Sequence, residues 1–291
     1  MDDHQRSARE AAASDRCART ANDSREMRVD PGHPFLIEQI ADSPIVAAAV
    51  HDGAALRPEV AELMALGEAE RRREEDPFTA AWTRIAPTRL IGRRSRFEVD
   101  LNRPPDKAVF RAPEDAWGLH VWRSPPPAAL VCRSKRIHEA FYAAAFETLR
   151  DIERRWDRFV VLDLHSYNHR RAGPHEPPDD PLRNPEVNIG TGSMDRQRWA
   201  SIVERCIADL RAAEVLGRPL DVRENVRFLG GYFSTWVHRT FPASGCALAI
   251  EVKKFFMDEW TGVPDAVQLE AVERVLASTV PGLLQELGAF A

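Results

Sequence analysis

The chain is poor in several features that would have assigned it to a class at once. Its 291 residues include only four cysteines, Cys17, Cys132, Cys206 and Cys246, scattered and with no CxxC pair. That spacing argues against a zinc ribbon and against a disulfide framework, and points to a reducing, cytoplasmic setting. No run approaches the roughly 18 apolar residues of a membrane span. The N-terminus lacks the basic-then-apolar order of a signal peptide. There is no basic excess, since 40 Lys+Arg against 45 Asp+Glu leave a net charge of -5. Nucleic acid is therefore a poor candidate partner. Arg93-Arg94, the stretch 133–136 and Arg170-Arg171 are basic but interleaved with acids, and read as solvated surface. No internal repeat is present.

With 44% apolar and 29% charged residues, the composition is that of a soluble globular enzyme able to bury a sizeable core. Residues 1–30 are polar and nearly free of large apolar groups, so they are expected to be disordered. Residues 31–291 are expected to form a single catalytic domain. Within them, Ile45–Val50, Phe159–His165 and Cys246–Val252 are apolar runs of strand length. Residues 90–101 alternate like a strand. Helical spacing covers 58–73, 137–155, 195–215 and 266–287, with a break expected near Pro281. Residues 104–130 and 168–185, rich in proline, read as irregular. Strands alternating with helices predict an α/β layer fold with a parallel or mixed central sheet. Ligands of such sheets sit beyond the carboxyl ends of the strands.

Three acid-base residues fall at or near those ends. His51 closes the first apolar run and precedes Asp52-Gly53; alone it also fits a surface turn. His165 shares strand parity with Asp163, so the two side chains face one way. A carboxylate on the far nitrogen is the usual support of a metal-bound imidazole, although a core histidine bonded to Asp163 is equally consistent. Glu251 ends the third run, where a buried acid is costly unless paired or functional; an ion pair with Lys253 or Lys254 is the plain alternative. A hydrolytic zinc commonly takes three protein ligands. Asp76, with Glu75 as runner-up, offers a carboxylate to join the two histidines. Arg96, Asn102 and Arg103 could hold a substrate carboxylate, the arginines through their planar forks, or could equally serve in structural salt bridges.

Taken together, Val50-His51-Asp52-Gly53, the acidic stretch 74–79, Arg96–Pro104, Asp163–Ser166 and the segment 230–257 resemble the N-formylglutamate amidohydrolase family, which is related to zinc carboxypeptidases and aspartoacylase. The resemblance spans about 210 residues, with Arg96–Pro104 and Asp163–Ser166 the most specific stretches. It implies a phosphorylase/hydrolase-like three-layer α/β fold with a central mixed sheet, one Zn2+ ion, and hydrolysis of an N-acylated amino acid such as N-formylglutamate. His51 and His165 would match the family's two histidine ligands. Asn102 and Arg103 would match its carboxylate-holding pair, and Glu251 its catalytic glutamate. The relatives carry His-x-x-Glu, whereas position 54 here is Ala54, so the third ligand must come from elsewhere. A carboxypeptidase or deacylase of small peptides, and a non-catalytic binding protein on the same scaffold, remain open. In either case the partner is a small molecule, and the sequence does not set the oligomeric state.

Overall fold

The computed structural model describes residues 32–288; the disorder expected of residues 1–30 concerns a segment outside them. In chain order the elements are β1 Phe35–Gln39, β2 Ile45–Ala49, α1 Pro58–Leu63, α2 Glu68–Glu74, α3 Thr79–Trp82, β3 Thr88–Gly92, α4 Ala128–Trp156, β4 Phe159–Tyr167, β5 Val187–Gly190, α5 Ala200–Ala212, β6 Glu214–Val215, β7 Arg218–Pro219, β8 Val222–Glu224, α6 Tyr232–Thr240, β9 Gly245–Lys253 and α7 Ala266–Leu287. Seven strands form one sheet in the order β1-β3-β2-β4-β9-β5-β8. It is mixed: β3, β2, β4 and β9 run parallel, whereas β1 against β3 and β5 against β9 are antiparallel.

The central strands are apolar on both faces because both faces are covered. Ile45, Ala47, Leu162, Leu164, Leu248 and Ile250 point into a core shared with α5 and α7. Their neighbours Val46, Ala48, Val161 and Ala247 point the other way, against Phe141 and Leu149 of α4 and Phe233 and Val237 of α6. The strict period of two along β2, β4 and β9 thus divides one sheet between two helical layers, giving the three-layer α/β fold expected. A smaller cluster of Val60, Met64, Phe97, Phe110 and Leu130 anchors the proline-rich excursion beside the sheet. Among the described residues no helix is long and apolar enough to cross a membrane.

Three local expectations fail for identifiable reasons. The helix expected over 58–73 is split into α1 and α2. Met64 leaves the helix to bridge Trp122, and the Gly67 N–H is capped by the Glu70 carboxylate at 2.8 Å. The strand expected over 90–101 stops at Gly92, because the Ser95 carbonyl accepts N–H bonds from Glu98 and Val99 and turns the chain. Phe97 there fills the small cluster while Val99 and Leu101 fill the α4 core, so the alternation serves two cores and not one strand. Helix α7 continues through Pro281, since Val272, Val275, Leu276, Leu283 and Leu287 bury one unbroken stripe against the sheet layer. Cys206 and Cys246 are free and buried.

The α6 layer contains a pH-sensitive contact. His238 Nε2 accepts the Ala247 N–H at 2.9 Å, so Nδ1 carries the ring proton toward Ser193 Oγ, also at 2.9 Å. Burial lowers its pKa to about 4 from 6.5, and a second proton would break the Ala247 bond. The folded state therefore binds fewer protons than the unfolded state, and the contribution of His238 is full above pH 6.5 and lost as the pH falls toward about 4. Urea unfolding of wild type and His238→Gln should show a stability difference that shrinks across that window. A pH-independent difference would mean that the ring is not held neutral.

Candidate metal centre and active-site cleft

Strands β2, β4 and β9 are adjacent and parallel, so their carboxyl ends open on one edge of the sheet. His51 lies just past the end of β2. His165 and Glu251 lie opposite one another in the β4–β9 register. The turn after His51 needs a glycine, because a Cβ on Gly53 would lie 2.2 Å from the Arg93 carbonyl carbon. Asp76 arrives from the far end of α2, where its N–H donates to the His51 carbonyl at 3.0 Å. A chain segment remote from β2 in sequence is thereby fastened to the histidine.

The side chains converge. Asp76 Oδ2 lies 2.9 Å from His165 Nδ1 and 3.4 Å from His51 Nδ1. The two rings are 5.0 Å apart between centroids. Each ring is held from behind by a buried carboxylate: His51 Nε2 donates to Asp100 Oδ1 at 2.7 Å, and His165 Nε2 donates to Asp163 Oδ1 at 3.0 Å. Ser234 Oγ donates to the other Asp163 oxygen at 2.8 Å. With Nε2 of each ring engaged from behind, Nδ1 of each faces the Asp76 carboxylate, an approach that needs a proton or a cation between the groups. The three donor atoms all lie within 4.8 Å of one another. Two imidazole nitrogens and a carboxylate oxygen, each imidazole backed by a carboxylate, form the donor set that suits zinc.

Electrostatics follow this geometry. Burial alone would raise the carboxyls of Asp76 and Asp100, but bonds from His165 and His51 hold Asp76 well below the usual carboxylate range, and Arg96 with His51 does so for Asp100. Burial would depress His165, yet the Asp163 charge and the bonds to Asp163 and Asp76 hold it well above its ordinary value. In the absence of a cation, a proton on this ring is what the carboxylates favour. Glu251 behaves differently, with burial pushing its carboxyl up to about 7. Among the described residues no ion pair holds it. Lys253 Nζ donates to the Asn184 carbonyl, and Lys254 Nζ to those of Arg73 and Glu75. Glu75, the runner-up ligand, faces away and accepts from Ser95 Oγ at 2.5 Å.

The cluster forms the floor of a cleft of about 400 Å³. Arg96, Asn102 and Arg103 line it with Trp117, a residue that is 54% exposed. Arg96 donates to Asp100 Oδ2 at 3.0 Å and to the Glu74 carbonyl at 3.2 Å, so most of its fork is committed within the protein. Arg103 approaches Asp100 only at 3.6 Å and lies over the Phe110 ring, which leaves its guanidinium largely available. Asn102 Oδ1 accepts the Phe233 N–H at 2.8 Å, and its Nδ2 lies 3.3 Å from His165 Nε2. The first residue of that tether must be small, since a Cβ on Gly231 would overlap the Asn102 carboxamide at 2.2 to 2.4 Å. Asp52 turns from the cleft to accept the Ala80 N–H.

Several lining residues escaped the sequence reading: Glu74, Trp117, Asn168, Arg171, Arg227 and Lys254. So did Asp100 as the partner of His51, because the stretch 93–101 reads as a strand and no local pattern links it to the end of β2. A lysine beside the apolar Phe255-Phe256-Met257 was the one readable signal for Lys254.

A family model described as N-formylglutamate amidohydrolase matches residues 43–257. Among solved structures, the fold is similar to N-formylglutamate amidohydrolase from Ralstonia eutropha JMP134, with a TM-score of 0.68 and 17% identity over 88% of this chain and 97% of that one. It is also similar to the gene product Atu2144 from Agrobacterium tumefaciens, with a TM-score of 0.59 and 17% identity over 86% of this chain and 96% of that one. At such identity the two structures establish the fold alone. No curated protein sequence matches the chain.

Removing the charge behind one imidazole tests the donor assignment. Asp163→Asn should weaken divalent-metal binding by about 10–100-fold in a chelator competition. An unchanged affinity would mean that His165 does not ligate through Nδ1.

Proposed function

The chain belongs to the N-formylglutamate amidohydrolase family, and we propose that it hydrolyses the amide of an N-acylated amino acid, with N-formylglutamate as the substrate and one zinc ion held by His51, Asp76 and His165. The observation that carries this reading is the meeting of three metal-type donor atoms within 4.8 Å at the floor of a cleft that also holds Glu251 and Arg103. When bound there, zinc would lower the pKa of water toward neutrality and polarise the acyl carbonyl.

The chain's own residues supply the rest. A carboxyl with a pKa near 7 can both take and return a proton at neutral pH. Glu251 accepts a proton as the water oxygen adds to the acyl carbon. It then delivers that proton to the amide nitrogen as the carbon–nitrogen bond breaks, releasing a carboxylic acid and a free amine. Arg103, with the Asn102 Nδ2 group, holds the carboxylate of the substrate. Arg96 keeps Asp100, and through it His51, in place. Asp163 and Asp100 keep both imidazoles oriented, so that little reorganisation accompanies the reaction. The partner in this reading is a small acyl amino acid, with no role for nucleic acid.

Zinc-loaded protein should hydrolyse formyl-glutamate with a higher kcat/KM than acetyl-aspartate or short peptides. Preference for a peptide would move the assignment to a carboxypeptidase or deacylase, and zinc binding without turnover of any of these would leave a binding protein. Glu251→Gln should lower kcat by about two to four orders of magnitude while leaving zinc content intact; zinc lost together with activity would contradict the role of Glu251. Arg103→Ala should act mainly on KM, and a collapsed kcat at unchanged KM would contradict carboxylate anchoring.

A further inference from the structure

Lys254 follows the end of β9, three residues beyond Glu251, and is only 1% exposed. A buried ammonium is costly unless its protons meet acceptors. Lys254 Nζ donates to the backbone carbonyl of Arg73 at 2.6 Å and to that of Glu75 at 2.7 Å. These are short, charge-assisted bonds, stronger than neutral ones. The second acceptor is the peptide carbonyl that joins Glu75 to Asp76. Two other tethers grip the same segment, the Asp76 N–H on the His51 carbonyl at 3.0 Å and Arg96 on the Glu74 carbonyl at 3.2 Å. Lys254 is the tether that comes from β9, the strand carrying Glu251.

We propose that Lys254 is a positioning residue, which holds the 73–76 turn so that the Asp76 carboxylate meets Nδ1 of both histidines and keeps a set place relative to Glu251. The proposal rests on the metal-site reading above. Its sign separates it from a simple charge effect. A positive group near a cation site repels the cation, so removing the charge alone would tighten metal binding. Loosening a ligand-bearing turn weakens it.

The test is a zinc titration against a chromophoric chelator, with the unfolding midpoint of each metal-free protein measured alongside. Lys254→Met is expected to bind zinc about 10–100-fold more weakly than wild type. Lys253→Met, which loses a comparable bond to the Asn184 carbonyl, is expected to bind zinc as wild type does. Lys254→Met binding zinc as tightly as wild type, or more tightly, overturns the proposal. Should that variant fail to fold, Lys254→Arg keeps the charge but cannot seat a tetrahedral ammonium between the two carbonyls. It is expected to bind zinc more weakly too, and wild-type affinity in it overturns the proposal equally. Wild-type protein that binds no zinc would instead refute the metal-site reading itself.

Discussion

Two imidazole nitrogens and a carboxylate oxygen, all electron-rich and all buried, point at one another within 4.8 Å. Such a meeting is repulsive unless positive charge lies between the groups. The neighbouring carboxylates favour a proton on His165, and in the proposed function a divalent cation fills that place. Much of the surrounding architecture follows from keeping these atoms together. Asp100 and Asp163 fix the ring tautomers from behind, Ser234 and Arg96 satisfy the remaining oxygens of those carboxylates, and α6 packs Ser234 against the sheet.

Burying so many ionised groups carries a large desolvation cost, which is offset only where every lone pair and proton has a partner. The parallel strands make that possible. Their apolar stems are covered on both faces by helices, so the carboxyl ends of β2, β4 and β9 present polar groups at the spacing that the strand register sets. Glu251 is the exception, since it faces the cleft with no ion-pair partner among the described residues and keeps an elevated pKa of about 7. An acid left unpaired among paired ones is the group free to move protons.

The layered fold was legible because β2, β4 and β9 are short continuous apolar runs, a pattern that only a doubly covered sheet accommodates. The two histidines were legible for a related reason: each interrupts or ends such a run, where a polar ring has nowhere to go but the strand's carboxyl edge. Asp76 could be named as a ligand on grounds of residue type, but what separates it from Glu75 is one step of backbone. That step sends Glu75 toward Ser95 and Asp76 toward the rings, and no periodicity encodes it. The stretch 93–101 misled because its apolar residues serve two different cores and so mimic a strand. Lys254, Arg227 and Trp117 were hidden because cleft walls are assembled from loops whose proximity is purely tertiary. Asn102 was recognised by type, whereas its bond to the N-terminus of α6 becomes visible only in three dimensions.

In the proposed function His51, Asp76 and His165 share one zinc ion through Nδ1, Nδ1 and a carboxylate oxygen. Diffraction from zinc-soaked crystals, with anomalous data on either side of the zinc absorption edge, tests it most directly. A single strong anomalous peak is expected about 2.0–2.1 Å from both Nδ1 atoms and about 2.0–2.2 Å from an Asp76 oxygen. A peak bound through Nε2, a peak elsewhere in the cleft, or no peak at saturating zinc would contradict it.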